Sequence, residues 1–196
     1  MMNILLDIVP QHVEIDGYKY PINSDFRISI MFELLMQETA VTDQERVELA
    51  LNLYYSEKRP YNITEGVNKM LWFYMCGNNS SGATKCGGPG VLTPQAIYSF
   101  EHDAEYIYAA FLDQYGIDLQ DIEYLHWWKF RAMFKGLKKD NLISQIMGYR
   151  AIQITDDMSD AEKSYYRKMK QIYALPDNRS LEEKERDFEH LMSGMF

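Results

Sequence analysis

From residue 23 onward, apolar side chains recur at three- and four-residue spacings, the signature of amphipathic helices. Asn23, Ser24 and Asp25 offer an N-cap, and Ile28, Met31, Phe32 and Leu35 lie on one face behind them. Thr42 with Glu45 forms a capping box ahead of Val47, Leu51 and Tyr54. Asn62 or Thr64 can cap a third helix running through Trp72 to Cys76. Later helices are predicted over residues 99–115, closed by Gly116, from Asp118 to Gly136, and from Asp140 to near Gly148. Another opens on a Ser159–Glu162 capping box and ends before Pro176, and a charged one runs from Ser180 to about Met192. Ahead of these, residues 3–9 read as a short strand and residues 13–20 as a β-hairpin. Asp16-Gly17 marks its turn, because both residues tolerate the positive φ of a type I′ turn. The pattern predicts a mainly α fold: a bundle of about eight short helices carrying a small N-terminal β-hairpin. Residues 1–22 hold the strand and hairpin, and residues 23–196 the helical domain. Residues 77–90, GNNSSGATKCGGPG, have five glycines and little that packs, so 77–92 reads as a flexible loop.

Composition narrows the function classes. The 196 residues are 46% hydrophobic and 25% charged, enough apolar content for a real core and against a disordered chain. Lys plus Arg number 20 against 29 Asp plus Glu, a net charge of −9. That balance opposes general nucleic-acid binding, which draws its affinity from Lys and Arg. Two cysteines point to a reducing compartment. Residues 1–10 lack the basic start of a signal peptide, and no apolar run approaches a membrane span. A protein of the cytoplasm, with no membrane contact, is expected.

Candidate chemistry is thin. Cys76 and Cys86 could be half of a metal or redox site, but the histidines His12, His102, His126 and His190 are scattered and supply no second ligand pair. The glycines around Lys85 do not place Lys and a hydroxyl as a phosphate-binding loop does. Glu101, Asp103 and Glu105 read as solvated charge complementing a helix N-terminus. No metal, no cofactor and no enzymatic activity are expected.

The most distinctive stretch is HWWKF at residues 126–130. Trp127, Phe130, Met133 and Phe134 share one helical face and read as core, whereas Trp128 and Lys135 point elsewhere. Residues 129–150 carry Lys129, Arg131, Lys135, Lys138, Lys139 and Arg150 against Asp140, a basic island that reads as a solvated face or as contact with an acidic partner or RNA. The predicted last helix has a narrow apolar side of Leu181, Phe188, Leu191 and Met192, and the sequence closes on Gly-Met-Phe. Candidate partner-binding residues are therefore Trp128, Phe134, Lys135, Lys138, Lys139, Phe188 and Phe196.

The stretches YSFEHDAEYIYAAFLDQYGIDL (98–119), LHWWKFRAMFKGL (125–137) and IMGYR (146–150), with DFRIS (25–29) and YMCG (74–77), resemble the gene product fifteen family of phages and prophages of Gram-positive bacteria. The resemblance covers roughly residues 20–175. It implies a long-tailed phage morphogenesis protein, most simply a tail assembly chaperone. Such a protein binds the tape-measure protein, keeps its long apolar helices soluble in the host cytoplasm, and is displaced as the major tail protein polymerises. It would then be absent from the mature virion and could form a homo-oligomer. The alternatives are a structural virion component, such as a tail-completion or connector protein, and an RNA-binding regulator using residues 126–150. A soluble, acidic, Met- and Tyr-rich helical chain fits the chaperone role, because such surfaces adapt to helical clients.

Overall fold

The computed structural model describes residues 3–78 and 96–176. Two strands, β1 (His12–Ile15) and β2 (Tyr18–Pro21), pair antiparallel, with Val13 opposite Tyr20 and Ile15 opposite Tyr18. Asp16 and Gly17 both have positive φ, 52° and 77°, as the Asp-Gly signal requires. Val13, Ile15 and Tyr20 face the core, while Glu14 and Lys19 oppose each other on the outer face. The predicted strand at residues 3–9 does not form. Residues 3–7 instead close a single turn, in which the amides of Leu6 and Asp7 bond the Asn3 carbonyl.

Seven helices are described: α1 (Phe26–Gln37), α2 (Asp43–Tyr54), α3 (Ile63–Tyr74), α4 (Ala104–Tyr115), α5 (Trp127–Lys135), α6 (Leu142–Ala151) and α7 (Asp160–Ile172). The fold is mainly α. The predicted helix from Ser180, and most of the Gly-rich segment with Cys86, lie outside the described residues. Four caps fall where the sequence places them, whereas α6 starts from Asn141 rather than the expected Asp140. Asp25 accepts the Arg27 amide, Asn62 accepts the Glu65 amide, and both capping boxes, Thr42–Glu45 and Ser159–Glu162, close reciprocally. Gly116 ends α4 in the left-handed conformation, which costs a glycine nothing.

Two helices are shorter than the pattern predicts. Ser99 to Asp103 form a separate turn before α4, with the Ser99 hydroxyl accepting the amides of Glu101 and His102. The helix expected from Asp118 begins only at Trp127. Asp118 caps just a turn, through the amides of Gln120 and Asp121. Beyond it the backbone is held by α1: Arg27 donates to the carbonyls of Leu119 and Ile122, and the Phe26 amide bonds the Leu125 carbonyl. Bonds to α1 fix this stretch of backbone in a non-helical course, so tertiary bonding overrides local propensity here.

Hairpin and helices share one core. Buried residues from β1 and β2, from α1 to α6 and from the turn at Phe100 form a single cluster. On α1 the buried face is Phe26, Ser29 and Phe32; Met31, expected on it, is exposed. Ser29 tolerates burial because its hydroxyl bonds the Tyr54 hydroxyl at 2.8 Å. α7 packs chiefly on α6 and buries no residue fully, so it is the most peripheral described helix.

Candidate interaction surface

The HWWKF stretch explains how the surface around α5 is held. α3 ends at Tyr74, and the last carbonyls of a helix have no partner within it. Here side chains of α5 supply them. Trp128 Nε1 donates to the Phe73 carbonyl at 2.7 Å, Trp127 Nε1 donates to the Tyr74 carbonyl at 2.8 Å, and Arg131 donates to the same Tyr74 oxygen at 3.1 Å. A cation at a helix C-terminus also complements the dipole. Both tryptophans are therefore buried, Trp127 at 1% and Trp128 at 5% exposure. Trp127 and Phe130 are core as predicted. The expectation that Trp128 points away from the core, as a partner residue, is corrected: helical phase alone does not register that the end of α3, whose Phe73 carbonyl takes both the Cys76 amide and the Trp128 indole N–H, packs against it. Gly77, at φ +76°, makes room for it, since a Cβ there would lie 3.1 Å from the Trp128 ring.

His126 opens α5. Its Nδ1 accepts the Trp128 amide at 3.0 Å, so the ring proton sits on Nε2, which donates to the Pro10 carbonyl at 3.0 Å. Burial holds the imidazole below its ordinary value, against the raising effect of the Pro10 bond. Between that lowered value and the unfolded value of about 6.5 the unfolded chain binds more protons, so stability is present above pH ~6.5 and lost as pH falls. Urea unfolding from pH 7.5 to 5.5 should show this loss, and His126→Gln should flatten that part of the curve. Equal pH dependence in both proteins would refute the assignment.

A half-buried polar cluster lies beside the indoles. Glu33 on α1 accepts the Tyr74 hydroxyl at 2.7 Å, and Cys76 Sγ lies 3.9 Å from the Arg131 guanidinium. Burial raises the Glu33 carboxyl, opposed by the Tyr74 bond and the Arg131 charge. Burial likewise raises the Cys76 thiol, opposed by Arg131 and Lys135. A raised thiol is a poor nucleophile at neutral pH. Among the described residues no group of three His, Cys, Asp or Glu side chains is arranged to hold a metal.

The basic island divides in two. Arg131 and Arg150 turn inward. Arg150 forms a two-pronged ion pair with Asp103, whose side chain is almost wholly buried, and also donates to the carbonyls of Ile97 and Tyr173. The readings of Asp103 as solvated charge and of Arg150 as solvated surface are thereby corrected. Lys129, Lys135, Lys138 and Lys139 remain exposed. The corner between α5 and α6, which carries Lys138 and Lys139 and follows Lys135 at the end of α5, is pinned by Gln114 of α4. Its amide nitrogen donates to the Gly136 carbonyl, and its oxygen accepts both the Lys138 amide and Asn141 Nδ2. Sequence gave no signal for Gln114 or for Arg131 as a helix cap. Phe134 is half-buried, its ring against Tyr98, Phe100 and Phe130. Phe188 and Phe196 lie outside the described residues. The structure thus brings Phe134 and Lys135 to the exposed end of α5, with Lys138 and Lys139 on the corner after it.

This scaffold spans the stretch that compares with a known family: residues 5–175 match the family described as bacteriophage Gp15 protein. The chain belongs to that family. Comparison with curated proteins and with solved structures gives no match. As a Gp15-family member the chain is phage-related, and the matched stretch takes in every described strand and helix. The Gp15 match also begins earlier than residue 20, reaching into the N-terminal turn. Phe188 and Phe196 fall beyond it. No described helix is long and apolar enough to cross a membrane.

Proposed function

We propose that this Gp15-family chain is a non-enzymatic phage morphogenesis protein, a tail assembly chaperone that binds the tape-measure protein in the host cytoplasm and leaves the finished particle. The observation that carries the reading is the family match across residues 5–175. Binding rather than catalysis is supported by where the perturbed groups sit. Glu33, Cys76 and His126 are engaged by Tyr74, Arg131, Pro10 and Trp128, inside the packing that holds α1, α3 and α5 together. The lysine corner supplies a fixed basic site for an acidic stretch of a client. An RNA-binding role gains little, because two of the island's six cations are consumed internally and the chain carries −9 overall.

Co-expression with the tape-measure protein of the same phage tests the reading, followed by size-exclusion chromatography with light scattering. Co-elution is expected, with the tape-measure protein insoluble when expressed alone. Lys135→Glu, Lys138→Glu and Lys139→Glu combined should weaken the complex at least tenfold at low salt. A chain that ignores the tape-measure protein, and that mass spectrometry finds in purified particles, would instead be a virion component.

A further inference from the structure

The outer face of α7 has no partner among the described residues. Tyr166, Met169 and Tyr173 are half-buried, whereas Ala161, Tyr165, Lys168 and Ile172 are exposed, Tyr165 by 47% and Ile172 by 56%. These four follow one another at steps of four, three and four residues, which sets them in one stripe along a helix. The stripe is ordered in advance. The Tyr165 hydroxyl lies 3.1 Å from that of Tyr149, and its ring packs edge-on against Tyr149 and Tyr166. The same helix carries uncommitted charge. Lys163 donates to the Asp156 carbonyl and Lys170 to the Arg150 carbonyl, but Arg167 and Lys168 have no hydrogen bond or ion pair among the described residues. Residues 163–172 hold four basic side chains and no acidic one.

The sequence that follows supplies a matching stripe. The described residues end at Pro176, and the helix that the sequence predicts from Ser180 to about Met192 lies beyond them. Leu181, Glu185, Phe188 and Met192 are spaced by the same four, three and four residues. Run antiparallel to α7, that order sets Leu181 against Ile172, Glu185 against Lys168, Phe188 against Tyr165 and Met192 against Ala161. Apolar meets apolar in three layers, with the long Met facing the small Ala, and the one polar layer joins opposite charges. Charge agrees over the whole length. Residues 181–192 carry five acidic side chains against two basic ones, opposite in sign to residues 163–172.

The tether selects this occupant. Residues 173–180 separate α7 from the predicted helix, within the roughly two to eight residues that join helices in bundles, and Pro176 opposes continuation of α7. A segment so tied meets its site at an effective concentration of about millimolar, which a free partner rarely reaches. A second copy of α7 would bring like charge to the face. The lysine corner after α5 is a connection between helices and offers charge without a stripe of this spacing.

We infer that residues 181–192 dock as an antiparallel helix on the outer face of α7, with Phe188 against Tyr165 and Glu185 against Lys168. The inference does not rest on the tape-measure reading, and it sets Phe188 against the chain's own fold rather than a client. Hydrogen exchange of the full chain, read by mass spectrometry, should show residues 181–192 protected at least tenfold over a free peptide of the same sequence. Leu181→Asp with Phe188→Asp should abolish that protection while α1 to α6 keep theirs. Lys168→Glu and Glu185→Lys should each lower it about twofold, the scale of an exposed ion pair, and the two combined should restore it, a rescue that only facing residues give. Wild-type exchange at the rate of the free peptide overturns the inference. So does protection indifferent to the Asp substitutions, or a charge swap that fails to rescue. Protection that rises with protein concentration overturns it by assigning the segment to a second copy. Protection lost in Lys138→Glu/Lys139→Glu overturns it by assigning the segment to the lysine corner.

Discussion

Replacing Phe130 by Ala is expected to remove about 3–5 kcal/mol of folding stability, the range for truncating a fully buried phenylalanine. Phe130 is 0% exposed and lies where four elements meet. Its ring stacks on Phe26 of α1 at 4.8 Å, on Phe111 of α4 at 4.9 Å and on Trp127 at 5.7 Å, and it lies 6.1 Å from Phe100. Offset ring pairs add to area burial, so the loss should fall in the upper half of the range. Domains of this size are stable by about 5–15 kcal/mol, and the variant should be partly unfolded at 37 °C. Phe134→Ala, one turn further and half-buried, should cost clearly less. Urea unfolding of both checks this; equal losses would mean that the ring stack is not the centre of the core.

The sequence made the caps legible because capping is local. Thr42 with Glu45, Ser159 with Glu162 and Asp16-Gly17 need only residues within three positions, and each forms as the pattern predicts. It failed where a partner far along the chain decides. Residues 119–126 are helical by pattern but form one turn and then irregular backbone in fact, with Arg27, some 92 residues away, bonded to the Leu119 carbonyl. Residues 3–9 are apolar enough for a strand, but they pair with neither β1 nor β2, and Asn3 and Asp7 close a turn instead. Trp128 shows the same limit at the candidate surface. Its helical phase points away from the Trp127 face, yet its indole reaches the carbonyl of Phe73, 55 residues earlier, beside the Cys76 amide that bonds the same oxygen, and so lies inside. The lysines of the basic island were legible as exposed charge. That Arg131 and Arg150 would leave that surface was not, since a single arginine looks the same in sequence whether it serves solvent, a helix end or a buried carboxylate.

Asp103→Ala is expected to cost about 3–5 kcal/mol, the usual result of removing one partner from a buried ion pair. Both Asp103 oxygens face Arg150, with Nη2 donating at 2.9 Å, and one of them also accepts the Ser99 amide at 2.9 Å. Without the carboxylate, the Arg150 charge remains buried among the Ile97 and Tyr173 carbonyls with nothing to neutralise it. Asp103→Ala with Arg150→Met should therefore recover part of the loss, because a buried pair replaced by apolar groups is often near neutral. Recovery should stop short of wild type. Met leaves the Ile97 and Tyr173 carbonyls without their donor, at about 1 kcal/mol each. The same lesion should loosen α7 first. That helix buries nothing fully and is tied to the body by the Arg150–Tyr173 bond, by Lys170 on the Arg150 carbonyl and by the Tyr149 rings. Hydrogen exchange should accordingly rise across Asp160–Ile172 in Asp103→Ala while the hairpin and α1 to α3 stay protected. Strictly additive losses in the double variant, or exchange that rises equally everywhere, would show that the pair does not couple α4, α6 and α7. Coupling would instead make this ion pair the joint that carries the outer helix, while α5, its tryptophans and the Gln114-held lysine corner keep their geometry without it.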